Sequence, residues 1–235
     1  MAAQIMQDIT MGTDQLATMR LFQLISPSLP TGAFTYSQGI EWAVECGWIK
    51  DKNSLIEWLE SMLFSSFSEL EIPLLKRLYF ACEDRDIEQF RYWSNYVVAC
   101  RETKELRNEE INRGRAMAKI LQQLEPELDK AWLEIVQKCQ VAGFALAAER
   151  WNIQLKLAAA GYIWGWLENM VMAAVKIVPL GQTDGQQALS ALSIAATDAV
   201  EAGMNVEDNN SGGSCPAFAI GSCLHETQYT RLFRS

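Results

Sequence analysis

From Asp51 to Phe67 the apolar residues Leu55, Trp58, Leu59, Met62, Leu63 and Phe67 fall mostly three or four positions apart, a spacing that gathers them on one helical face. The period returns in Leu74, Leu75, Leu78 and Tyr79, and again in Phe90, Trp93, Val97 and Val98. No Asn-Gly or Asp-Gly pair stands between alternating apolar runs, which is the usual mark of a hairpin; Asp184-Gly185 falls inside a helical pattern. A chain patterned this way buries helix against helix. The expectation is an all-α fold, a single-domain bundle of about eight to ten helices.

Punctuation divides the pattern. Ser26-Pro27-Ser28-Leu29-Pro30-Thr31-Gly32 ends a short helix beginning near Leu16 and forces a structured turn. A second helix runs from Tyr36 to Gly47. Ser54 with Glu57 has capping-box spacing at the start of the third, and Pro73 suits the first turn of the next. Further helices are expected over 101–124, 127–150, 154–177 and 182–203, with Pro126, Pro179 and Gly181 at their joints. The resulting division is an arm (1–15), a helical domain (16–203), a flexible connector (204–214) rich in Asn, Gly and Ser, and a tail (215–235).

Charge narrows the partners. With 29 acidic against 20 basic residues the net charge is −9, and such a field repels nucleic acid, whose phosphates need a basic stripe. No uninterrupted apolar run is long enough to span a membrane, and the first residues lack the basic-then-apolar pattern of a signal peptide. The expected location is cytoplasmic, with no membrane partner.

Enzymatic constellations are hard to assemble here. The chain has one histidine, His225, and it sits in the tail, a poor place from which to hold a base against a nucleophile. Phosphate-binding glycine loops are missing, as are helical metal motifs. The expectation is no catalytic residues and no cofactor. Glu109 and Glu110 read as part of a solvated face, and Trp58, Trp93, Trp164 and Trp166 as core. Cys46, Cys82, Cys100 and Cys139 read as small hydrophobes. The alternative to a non-metal role is a nickel carrier using Cys215, Cys223 and His225, whose thiolates and imidazole suit borderline metals although their spacing fits no zinc signature.

Two segments read as partner surfaces. The proline-glycine turn presents Phe34, Thr35 and Tyr36, or else is a buried helix entry. The tail ends in Tyr229-Thr230-Arg231-Leu232-Phe233-Arg234-Ser235, residue types enriched at interface hot spots, and should dock on its own body or on a partner.

Four blocks together resemble the UreF urease accessory proteins. The first is the turn and helix from Ser26 to Glu41, and the second runs from Arg101-Glu102-Thr103-Lys104-Glu105-Leu106-Arg107 through Arg113-Gly114-Arg115. The third is Ala174-Val175-Lys176-Ile177-Val178-Pro179-Leu180-Gly181-Gln182, and the fourth runs from His225-Glu226-Thr227 to Ser235. The resemblance does not extend to Cys215 and Cys223. It implies an all-helical homodimer that binds UreD/UreH, recruits or regulates the GTPase UreG, and assists nickel insertion into apo-urease. On that implication the partner-binding residues are Phe34, Thr35, Tyr36, Arg101, Glu105, Arg107, His225, Glu226, Tyr229, Arg231, Leu232, Phe233 and Arg234. Arg231 or Arg234 serves for docking or, reaching the nucleotide, as an arginine finger.

Overall fold

The computed structural model describes the backbone from Ala2 and side chains from Asp14 to Ser235. Among the described residues there are eleven α-helices and no strand, so the chain is all-α. The first helix, α1 (Ala2–Ile25), starts well before Leu16, where the sequence pattern places it; most of the expected arm lies outside the residues with described side chains. Its Ala17, Leu21 and Leu24 are buried against the body.

After the turn come α2 (Ile40–Glu45) and α3 (Lys52–Met62). Asp51, not Ser54, caps α3: its carboxylate accepts from the Ser54 amide at 2.9 Å while the Ser54 hydroxyl serves the Asp51 amide at 3.1 Å. The expected capping box of Ser54 with Glu57 is therefore replaced by one three residues earlier, with Asp51 at the N-cap and Ser54 as its partner. From α3 the chain continues without a break through a π-helical segment, Leu63–Glu71, into α4 (Ile72–Glu83). A π-helical run this long widens the helix and turns Ser66, Phe67, Leu70 and Glu71 toward an internal cavity.

The core is built around α8 (Gln140–Arg150), in which every residue from Gln140 to Ala148 is buried. A helix apolar all round has to sit in the middle. It packs on α4, α5 (Ile87–Ala99), α6 (Lys104–Leu124), α7 (Lys130–Val136) and α9 (Leu155–Ile177). The sequence pattern joins α7 and α8 into one helix; the structure breaks them at Gln137–Cys139, with the Cys139 thiol capping α8 through the Ala142 amide. Next, α10 (Gln182–Met204) lies along α9, α3 and the π segment. Residues 205–214 then cross the body, and α11 (Pro216–His225) packs on α2.

The connector is held rather than free. Asp208 pairs with Arg77 at 2.9 Å, Tyr96 donates to the Ser211 carbonyl at 3.2 Å, and the Gly212 amide donates to the Glu69 carbonyl at 3.0 Å. No helix is long and apolar enough to cross a membrane among the described residues.

Candidate functional site

The site is built where α2, the start of α6 and the tail meet. Two sequence details bring them together. Gly39 has φ +84°, and a Cβ there would stand 2.8 Å from the Ser222 amide, so only glycine lets α11 approach α2 this closely. Thr103, the N-cap of α6, bonds the Leu106 amide at 3.2 Å and the Ser222 hydroxyl at 2.8 Å, tying α11 to α6 as well. Trp42 and Trp58 lie against α11 at Gly221, and Trp48 stands between them with ring centroids 4.9 Å from Trp42 and 5.8 Å from Trp58.

After α11 the tail runs backbone-inward. The Glu41 carboxylate accepts from the Leu232 amide at 2.6 Å and the Phe233 amide at 2.9 Å. The Arg234 amide donates to the Thr35 carbonyl at 2.8 Å, and the Ser235 carbonyl accepts from the Ser37 amide at 2.6 Å and the Ser37 hydroxyl at 2.5 Å. Glu226 reaches the open amides at the start of α6, accepting from Lys104 at 2.9 Å and from Glu105 at 3.4 Å, where a helix N-terminus favours a carboxylate. His225 is fully buried between Glu105, 2.8 Å from Nδ1, and Glu41, 3.2 Å from Nε2; Arg231 pairs with the other oxygen of Glu105 at 3.1 Å. The tail thus docks on its own body, and His225 is enclosed rather than hung from a mobile segment.

What the tail shows outward differs from what it buries. Phe233 and Ser235 are buried, with Lys176 lying 5.7 Å from the Phe233 ring centroid. Tyr229 is fully exposed and Leu232 is 64% exposed. Phe34 on the neighbouring turn is 61% exposed, and Ile220 and Leu224 are exposed one helical turn apart on α11. Arg231 and Arg234 also face solvent.

Several expected partner residues face inward. Tyr36 is buried, and its carbonyl, with that of Ala33, accepts from the Asn169 side chain. Thr35 contributes its carbonyl to the tail and its hydroxyl to Gly32. Arg101 lies inside, bonded to Glu71 and, at 3.0 and 2.8 Å, to Glu110. Arg107 is exposed and donates to the Arg101 carbonyl at 2.5 Å. Glu105 is spent on His225 and Arg231.

Glu109 and Glu110 are buried, so the solvated face expected for them is corrected. Glu110 accepts from the Val141 amide at 3.0 Å; Tyr162 donates to Glu71 at 3.0 Å. Glu109 pairs with Arg113 at 2.8 Å and accepts from Gln38, which in turn accepts from Trp166. These groups form the polar wall of a cavity of about 280 Å³, whose other walls include Leu24, Ile25, Phe67 and Phe144. Burial pushes the Glu110 carboxyl up, but Arg101 and the Val141 amide outweigh it and hold the group below its usual value. Burial likewise opposes the charge on Arg101, and Glu71 and Glu110 more than restore it.

The cysteine-histidine trio is not brought together. Cys215 precedes α11 and His225 ends it, about 15 Å apart along the axis at the rise of a helix. Cys223, two residues before His225, projects to the opposite side and is exposed. Among the described residues no group of three His, Cys, Asp or Glu side chains is arranged to hold a metal ion. Trp164, read as core, is 38% exposed, and Cys46 is exposed as well. The sequence reading missed Glu41 and Ser37 as anchors; the one available signal was their place in the block from Ser26 to Glu41.

Comparison with known proteins agrees with this architecture. The UreF family model matches residues 49–193. The chain is similar to the urease accessory protein UreF of Alcanivorax borkumensis, 53% identical over 225 residues, covering 93% of this chain and 98% of that one. It is 44% identical to the UreF of Alkalilimnicola ehrlichii over 94% of this chain and 96% of the relative, and 42% identical to that of Citrobacter koseri over 95% and 100%. By that match and these near-full-length identities, the chain belongs to the UreF family of urease accessory proteins.

Proposed function

We propose that this chain is a non-catalytic scaffold in urease maturation: a cytoplasmic homodimer that binds UreD/UreH, recruits or regulates the GTPase UreG, and so assists nickel insertion into apo-urease. The observation that carries the reading is the way the tail docks. Its backbone is spent on Glu41, Thr35 and Ser37, which leaves Tyr229 and Leu232 in solvent, as are Phe34, next in the chain to the Thr35 that the tail bonds, and Ile220 and Leu224 on α11. Exposed aromatic and aliphatic side chains interspersed with Arg231 and Arg234 on an acidic protein have the make-up of a protein-binding face. The nickel ligands and the nucleotide belong to the partners in this reading. Arg231, already paired with Glu105, serves docking; Arg234 is the freer of the two for a partner carboxylate.

The test is co-purification of the tagged chain with UreD/UreH and UreG, beside a Tyr229→Ala/Leu232→Ala double variant. Truncating an interface anchor costs on the order of 1–2 kcal/mol, so the double variant should bind about tenfold or more weakly while keeping its helical content. Equal recovery of both partners with the folded double variant would remove this face from the account.

A further inference from the structure

The cavity bounded by α1, the π segment, α6 and α9 has a volume of about 280 Å³. A dry apolar cavity of about 150 Å³ already holds benzene, so there is room here for a ring with a polar group attached. Much of its wall is apolar, with Leu24, Ile25, Met62, Phe67 and Phe144 lining it. Phe34 and Met172 line it too and are 61% and 43% exposed, which places its mouth between the turn and α9. One side is formed by Ser66, Phe67, Leu70 and Glu71 of the π segment. π-Helical turns are rare and frequent at functional sites, an observation independent of the cavity's size.

The polar wall is half closed. Arg101 is committed to Glu71 and Glu110, and Glu110 also takes the Val141 amide. The other half is not. Arg113 donates from Nη1 to Glu109 at 2.8 Å, while its Nε, withdrawn from solvent, has no partner among the described residues. A buried N–H without an acceptor calls for a ligand or a water. Gln140, 8% exposed and lining the same cavity, adds an amide that can both donate and accept. Net charge fits poorly there. Burial raises the Glu109 carboxyl above its usual value against Arg113 and Gln38, and it raises Glu168 on the α9 wall as well. A further anion would face these carboxylates, and a cation would face the Arg113 guanidinium.

We propose that this cavity binds a small uncharged molecule with an apolar ring or chain and a carbonyl-type acceptor, an amide being the best match. The apolar body lies against Phe67 and Phe144, and the acceptor takes the Nε–H of Arg113 with the Gln140 amide beside it. Arg113 is thereby the residue that reads the ligand. The ion pairs of the wall stay in place when the molecule enters, so no buried charge is left without its partner. The site lies inside the helical body and stands apart from the partner surface of the tail.

Four probes on one ring frame test it: benzamide, benzoate, protonated benzylamine and toluene. Each is titrated to about 5 mM into the full-length protein carrying methyl-labelled methionine, with NMR signals of Met62 and Met117, which line the cavity, as reporters. Benzamide should shift both methyls with a Kd on the order of 1 mM or tighter, and bind about tenfold more tightly than toluene or either charged probe. Arg113→Lys keeps a cation for Glu109 and removes the Nε–H. In that variant benzamide should fall to the level of toluene, and toluene itself should bind as before. A charged probe or toluene that equals benzamide, or benzamide binding unchanged in Arg113→Lys, would overturn the proposal. Silence of both methyls with every probe would overturn it too and leave the cavity to water alone. Should Arg113→Lys not fold, the four probes on the unmodified chain decide it.

Discussion

Arg101 shows how much one side chain can hold inside this protein. Its guanidinium reaches Glu71 at the end of the π segment and Glu110 in α6, and Glu71 in turn accepts from Tyr162 of α9. Removing the cation while leaving two buried carboxylates is the severe way to break such a network, at about 3–5 kcal/mol. Arg101→Ala should lose that much in urea denaturation. Arg101→Lys should recover only part of it, because a lysine cannot repeat the forked geometry. The same pairing sets an acid limit. Glu110 is held below its ordinary value of 4.5, so its contribution is fully present above that pH and is lost as pH falls through the lower folded-state value. A stability profile taken below about pH 4.5 should therefore slope less steeply in Glu110→Gln. In the sequence, Arg101, Glu105, Glu109 and Glu110 stand out as a mixed-charge run, and that much was legible. Their direction was not, because charges three and four apart look alike on a solvated face and on a buried one. The partner that turns Arg101 inward, Glu71, lies thirty residues away.

At the scale of the element, the continuous helix from α3 through α4 contains a proline and yet does not break. Pro73 has no amide to donate into the preceding turn, where the Glu69 carbonyl would be its partner in α-helical register. The connector supplies one through the Gly212 amide. Next to it, a Cβ on Gly213 would fall 2.4 Å from the Ser65 carbonyl and 2.6 Å from the Glu69 side chain, so the strap touches the π segment at a point where only glycine fits. Gly213→Ala should push the connector off, costing about 1–3 kcal/mol as overpacking does, with faster hydrogen exchange at Gly212. An unchanged melting temperature and unchanged exchange would show that the strap does not support the helix. Pro73 and the Asn-Gly-Ser composition were both visible in the sequence. What they do together was not, since a connector held through backbone groups leaves no mark on composition.

At the scale of the whole molecule, the helical core and the tail form one body. The periodic apolar runs announce the all-α core, and the arrangement around buried α8 agrees with it. The tail is the harder part, because aromatic and basic residues at a chain end say that it docks and not where. Its position is fixed by Glu41, Ser37 and Glu105, all more than a hundred residues away in sequence. That docking bonds the tail to the turn at Thr35 while Tyr229, Leu232 and Phe34 stay exposed, and the functional reading rests on it. Hydrogen exchange at the Leu232 and Phe233 amides in the isolated full-length chain, beside Glu41→Ala, tests it most directly. The account predicts protection of both amides by about a hundredfold or more, lost in the variant while the core amides of α8 stay protected. Free exchange at both positions in the unmodified chain would contradict it.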